Sequence, residues 1–403
     1  MTFRTHAPLA EGVVARLCLL IFLDGFAHSV SFPILPRLVA ELTGHQPPVT
    51  ALWVGWLEVA WAVPQILIAP VLGALSDRYG RRPLMLLSAV GIGIELTLDA
   101  LASHVGWLVV GRVVCGLSFA AQAAVMAGVA DVTATEGRAR AFGLANGALY
   151  GGIVAGLLAS GALASLGVRA PFWTGAGVAA AAALYVALAV PEPLGRAQRT
   201  VARTGGAAWE GVRLVAAYPG LRPLALVLLL SWLAFQSSDN MVVLYTEHRY
   251  GWSAGQFGLF AAATALLGIA VQGLLASPAT RRLGERGALV AGSAMTAAGM
   301  LAMGLAPAPA AFVPAAMLAM LGAVARPALQ AMMSRCVGAD EQGRLQGLVS
   351  SIVSLTSVVA PLAFTSLYAW AIGGGRAPAW AGLTFVCGAT LSAIAALVAW
   401  RRR

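Results

Sequence analysis

Seven ionisable side chains stand inside stretches that otherwise hold almost nothing but apolar residues: Asp24, Glu58, Glu95, Asp99, Arg112, Asp239 and Arg326. A charge at the centre of a bilayer span costs at least about 2.5 kcal/mol, so each is a candidate functional residue by default. A carboxyl group taken out of bulk water keeps a proton that it would lose outside. If access to it alternates between the two sides of a membrane, it can load that proton on one side and release it on the other. Asp24 lies about nine residues into its apolar segment, roughly 13 Å deep at the helical rise, and Glu95 is similarly deep in its own. These two are the candidate proton carriers. His28 follows Asp24 by four positions, which on a helix puts both on one face and makes it a second proton-binding candidate. Glu58 and Asp99 stand nearer a membrane surface, and Arg326 is close enough to the end of its segment to snorkel toward water.

A second polar group interrupts another apolar run. Gln236, Ser237, Ser238, Asp239 and Asn240 are consecutive, a patch expected to face a cavity and to attract a cationic substrate. Gln122 and Gln330 are further candidate cavity residues. Trp56, Trp61, Phe235 and Tyr245 are candidates to stack on a planar ligand, although tryptophan and tyrosine near span ends more commonly anchor the lipid interface.

The elements that must position these residues are read from composition. Apolar residues make up 59% of the 403-residue chain and charged residues 10%, against about 25% charged in soluble domains. The mean hydropathy is +0.82. This is the composition of an all-α integral membrane protein. Twelve apolar segments are discernible, near 15–38, 50–75, 84–102, 106–130, 140–166, 170–190, 222–246, 253–277, 286–306, 311–333, 344–370 and 379–399. The longest interruption, 191–221, divides them six and six. The expected architecture is therefore 12 transmembrane helices in two six-helix bundles, residues 1–190 and 222–403, joined by a cytoplasmic linker over 191–221. Gly143, Gly147, Gly151, Gly152 and Gly156 predict a smooth helix face, because small residues let helices approach closely in lipid.

All 26 basic residues are arginines, and the net charge is +10. In a soluble protein that would suggest nucleic acid. Here the arginines collect in short loops of alternating sidedness, the pattern that sets topology, and it puts both termini in the cytoplasm. The four cysteines stand singly, with neither zinc spacing nor a disulfide framework. Nothing reads as a nucleotide loop, metal cluster or nucleophilic triad, so neither an enzyme nor a cofactor is expected.

The second segment ends in Ser76-Asp-Arg-Tyr-Gly-Arg-Arg-Pro83. With Gly73 before it, this stretch resembles the loop signature between the second and third helices of the major facilitator superfamily, and within it the drug:proton antiporter branch. Leu23 to Pro36, Gly111 to Ala124, Ala130 to Gly143 and above all Pro327 to Trp370 are similar to tetracycline-efflux proteins, so the likeness covers nearly the whole chain. After the eighth segment, Ser277 to Ala288 forms a weaker basic echo of the same turn. The resemblance implies the major facilitator fold and alternating access between two halves. It implies a relay role for Arg112, a substrate-contacting role for Gln65, and a conformational latch built from Asp77, Arg78, Arg81 and Arg82, with Arg81 reaching Asp131. A functional monomer in a bacterial inner membrane is the family expectation.

Several positions depart from that family. Leu157 stands where the export signature of the fifth segment has a proline, and Ser160 where a glycine is usual. Glu95 replaces an aspartate. Thr296 and Gly268 replace an acid and a histidine of the second half. The expected function is proton-coupled efflux of small amphiphilic drugs, tetracycline-like or multidrug. The alternative is proton-coupled transport of a natural metabolite, such as a sugar, a siderophore or a self-made antibiotic.

Overall fold

The computed structural model describes residues 7–119, 121–195, 213–239 and 241–402. Asn240, Arg196, Arg199 and Arg203 lie outside them. Among the described residues, the regular structure is helical. In chain order the helices are α1 (Ala7–Ser31), α2 (Leu35–Leu42), α3 (Pro47–Tyr79), α4 (Arg81–Leu101), α5 (Val105–Ser118), α6 (Ala121–Val132), α7 (Arg138–Ala164) and α8 (Ala170–Ala189). The second half continues with α9 (Leu221–Asp239), α10 (Val242–Tyr250), α11 (Ala254–Ala270), α12 (Ala276–Leu305), α13 (Pro309–Leu321), α14 (Ala325–Ser334), α15 (Gln342–Ile372) and α16 (Leu383–Arg401). Eleven stretches are long and apolar enough to cross a membrane among the described residues. One of them, Ala254–Leu305, is 52 residues long. At 1.5 Å per residue that is about 78 Å, more than twice a hydrocarbon core of about 30 Å, so it holds two crossings. It turns at Gly284 (φ 71°, ψ 167°).

Four of the expected single segments are each broken into two helices. The breaks fall at 32–34, at 119, at 241 and in the 3₁₀ turn Gly322–Val324. Before the first three, serine hydroxyls bond backward to carbonyls three or four residues earlier. Ser29 donates to Phe26 O and Ser31 to His28 O. Ser118 donates to Val114 O and Cys115 O, Ser237 to Ala234 O, and Ser238 to Phe235 O. Such bonds compete with the helical ladder and bend or end it. The sequence shows these serines, but apolar patterning alone runs straight through them.

By contact, the chain forms two compact units: Met1–His45 with Ala60–Thr204 and Ser253–Ala262, and Gln46–Val59 with Gly205–Trp252 and Ala263–Arg403. α3 and α11 each divide between them. In the first unit α1 packs on α7 and α8, and α4 on α5 and α8. Leu17, Ile21, Met85, Val125, Val129 and Val186 close its core. In the second unit α12 packs on α13 and α16, and α9 on α15 and α16, around Leu224, Val227, Leu289, Leu329, Met333 and Leu345.

The α1–α7 contact is made by fewer glycines than expected. A Cβ on Gly152 would lie 2.1 Å from Phe22 O, and one on Gly156 would lie 2.7 Å from Phe26 O. Gly143 and Gly147 face open space. Gly152→Leu must push α1 from α7, an overpacking cost of about 1–3 kcal/mol. It is expected to lower the thermal midpoint of the purified protein, whereas Gly143→Leu leaves it unchanged; fluorescence-detected size exclusion after heating reads both.

Candidate functional site

Two polar clusters sit within the helices, one in each unit. In the first, α4 and α5 bring Glu95 and Arg112 together. Arg112 Nε lies 3.3 Å from Glu95 Oε1, with both side chains less than a tenth exposed. His28, from α1, feels the charges of both. The Cys115 thiol, fully buried, sits beside Glu95 and Trp61. Three rings close the cluster: His28 to Trp61 at 6.0 Å, His28 to Phe119 at 5.9 Å, and Trp61 to Phe119 edge-on at 5.4 Å. α3 comes this near because position 116 has no side chain, since a Cβ there would lie 2.3 Å from Trp61 O. Both ions are buried, and in that setting the attraction between them is stronger than at a surface.

Asp24 is buried on the same helix as His28, at 6% exposure. His28 thus meets Glu95 and Arg112, where the helical spacing had coupled it to Asp24. Trp61 belongs to the cluster's wall. Gln65 is half-buried, and Gln122 and Gln330 are exposed.

The second cluster is built from α9, α14 and the first part of α3. Asp239 feels the charges of Glu58 and Arg326. It remains open to solvent although protein surrounds it. The Arg326 guanidinium lies 4.7 Å from the Phe235 ring centroid and 5.3 Å from that of Trp232, in cation–π contact with both. Arg326 is exposed and rests over both rings. Gln236 is half-buried beside this group. Tyr245, expected to be available to a planar ligand, is fully buried and stacked on Phe312 at 5.5 Å. Trp56 is 54% exposed.

Basic turns form a third arrangement. Gly80 adopts φ 113°, a conformation costly to any residue with a Cβ, and α4 starts directly after it. Arg81 pairs with Asp131 at 3.0 Å and with Asp77 at 2.6 Å, and donates to Ser76 Oγ at 2.9 Å. Arg82 donates to the carbonyls of Val186 and Ala187 at the end of α8. Arg78 is exposed and lies 5.2 Å from the Tyr79 ring centroid. The first N–H groups of α4 need acceptors that the turn lacks, and Glu192 supplies them: its oxygens accept from Arg81 N (2.7 Å) and Arg82 N (3.1 Å). Glu192 was not singled out from the sequence. Its signal was an acid at the end of a span, close after six apolar crossings and opposite a basic turn.

The echo in the second half is a structural repeat with its charges exchanged. Gly284 turns the chain, Glu285 follows it, and Arg335 pairs with Glu285 at 2.8 Å. The partners are as far apart in sequence as Arg81 and Asp131, which are separated by 50 residues. Arg286 donates to Trp400 O at the end of α16, as Arg82 does at the end of α8.

Spans broken at polar residues, an ion pair buried among apolar helices and a duplicated helix-turn device define a multi-spanning membrane protein with the features of a transporter. The sequence profile of the Major Facilitator Superfamily matches residues 17–281 and 224–403, and the chain belongs to that superfamily. It is 35% identical over 380 residues to the class C tetracycline resistance protein of Escherichia coli, covering 92% of each chain. It is 34% identical over 374 residues to the class G protein of Vibrio anguillarum, covering 93% of each. Among solved structures it is similar to a mutant of the nucleoside transporter NupG, with a TM-score of 0.80 at 10% identity, covering 97% of this chain and 99% of that one. The human organic anion transporter MFSD10 matches with a TM-score of 0.68 at 22% identity and the same coverage. The chain is thus a small-molecule transporter working by alternating access in a lipid bilayer, and not a catalyst.

Glu192→Ala removes the acceptor from the first turn of α4. A lost helix cap costs about 1 kcal/mol, so the variant is expected to melt at a lower temperature than the exposed-site control Glu136→Ala, measured by differential scanning fluorimetry.

Proposed function

We propose that this transporter exports small amphiphilic drugs, of tetracycline-like or multidrug type, in exchange for protons. The observation that carries the reading is the Glu95–Arg112 pair, buried among apolar helices and walled by His28, Trp61 and Phe119. An ion pair in such a place is costly to desolvate, and an acid there has a use if it must gain and lose a proton. Protonating Glu95 frees Arg112, and substrate binding on the ionised state sets the competition that exchange needs. Asp24 is the second proton carrier. The relatives that match over nine-tenths of the chain are tetracycline resistance proteins.

In this reading Phe235, Gln236, Asp239 and Asn240 receive the substrate, together with Gln65, Gln122, Gln330 and Trp61, and Asp239 selects for positive charge. Asp77, Arg78, Arg81, Arg82 and Asp131 hold the inner ends of the helices as a latch between states. The protein works as a monomer of two bundles, 1–190 and 222–403, joined by 191–221. It sits in a bacterial inner membrane with both termini in the cytoplasm, the orientation that the arginine distribution supports.

Everted vesicles containing the protein are expected to accumulate labelled tetracycline when energised, and to lose it when the proton gradient is collapsed. Glu95→Gln should reduce the energised uptake about tenfold or more, equivalent to about 1.4 kcal/mol on the transport barrier. Uptake that persists without a gradient would remove proton coupling. Gradient-dependent movement of a metabolite panel but of no drug would favour the metabolite alternative. Asp239→Asn should weaken transport of cationic substrates more than of neutral ones of similar size; equal losses on both would remove its selective role.

A further inference from the structure

Asp99 lies one helical turn beyond Glu95 on α4 and is 2% exposed. Its Oδ1 is buried without a hydrogen-bond partner. The facing residue on α5 is Gly111. A Cβ there would lie 3.2 Å from Asp99 Oδ1 and 3.4 Å from Glu95 Cα. The two helices therefore close on each other at the Glu95 backbone and the Asp99 carboxyl, and Arg112, paired with the Glu95 side chain, is the next residue along. Asp99 feels the charges of both Glu95 and Arg112. The other titratable groups facing this set are His28 from α1 and Cys115 from α5.

The charges do not balance if both acids are ionised: two carboxylates would then face one guanidinium in a water-poor site. Two acids so placed cannot both be charged at low cost. A carboxyl oxygen with no donor aimed at it is the member that lacks compensation.

We infer that Glu95 and Asp99 share a single proton, with Arg112 paired to whichever of the two is ionised. In the state seen, Arg112 is on Glu95 and the proton is on Asp99. The step that follows moves the proton from the Asp99 carboxyl to the Glu95 carboxylate, while the guanidinium passes to Asp99. One acid, one carboxylate and one guanidinium are present before and after. Asp99 is nearer the end of α4 than Glu95, so it stands between Glu95 and the outer membrane face in the orientation proposed above. It is then the first acceptor of a proton arriving from outside. This inference rests on the proton-exchange reading for its purpose, but its test does not.

The full chain in lipid nanodiscs would be examined by infrared difference spectroscopy at neutral pH, where a protonated carboxyl shows its own C=O band. Asp99→Asn should remove one such band. Glu95→Gln should remove the same band, because Asp99 then ionises opposite Arg112. Asp99→Glu should restore it. A band set that is unchanged in Asp99→Asn, or that loses nothing in Glu95→Gln, overturns the shared proton. If Asp99→Asn does not fold, the Glu95→Gln and Asp99→Glu arms decide alone. Energised tetracycline uptake in the same preparations separates the two readings. Bands as expected with uptake indifferent to the gradient would refute proton coupling and leave the shared proton standing. Gradient-driven uptake with bands unchanged would do the reverse.

Discussion

The contact between Glu95 and Arg112 sets conditions on everything around it. Two ions inside apolar helices lose most of their hydration, and their attraction compensates only when the geometry is tight. Removing Arg112 would strand a carboxylate, which in buried pairs costs about 3–5 kcal/mol. The fold therefore has to bring α4 and α5 close along their length. It does so with Gly91, where a side chain would collide with Ser118 of α5, and Gly111, where one would crowd Asp99 and the Glu95 backbone, while Gly116 admits Trp61 of α3. It also has to keep water scarce, which the rings of His28, Trp61 and Phe119 accomplish. A site so constrained is sensitive to one proton, because neutralising Glu95 cancels half of the interaction that organises it.

The interruptions of the helices belong to the same economy. Inside a bilayer a freed carbonyl or N–H must find a partner in the protein. Serine hydroxyls before the breaks at 32–34, 119 and 241 occupy some of those carbonyls. Polar backbone is thereby placed at membrane depth beside the titratable side chains: His28 and Ser31 flank the first break, Cys115 and Ser118 the second, Ser238 and Asp239 the third. In transporters, discontinuous helices are where substrates and coupling ions are met.

Much of this was legible in the chain because lipid imposes a simple code. Apolar length gave the spans, and the Ser76–Pro83 stretch gave the turn whose Arg81–Asp131 contact is present at 3.0 Å. Charges in oil pointed to Glu95, Arg112 and Asp239. What escaped was whatever depends on packing between distant segments. His28 shares a helix face with Asp24, but helix faces do not say which neighbouring helix arrives, and α4 and α5 bring Glu95 and Arg112 to it. Arg326 is exposed, but the rings of Trp232 and Phe235 on which it rests come from a distant segment that its own surroundings do not announce. Glu192 looked like the start of a linker, since nothing in its own neighbourhood says that an unfilled helix terminus, more than a hundred residues earlier, lies against it.

The exchanged polarity at the two glycine turns bears on how a duplicated chain assembles. Each half emerges with the same helix–turn–helix device, and a newly inserted hairpin from one half resembles the docking partner that the other half requires. Identical charges would let either hairpin settle on either acceptor. With Arg81 seeking Asp131 and Glu285 seeking Arg335, a crossed pairing would set arginine against arginine and glutamate against aspartate. Sign reversal therefore makes each turn complementary in charge to the partner in its own half and not to the other's.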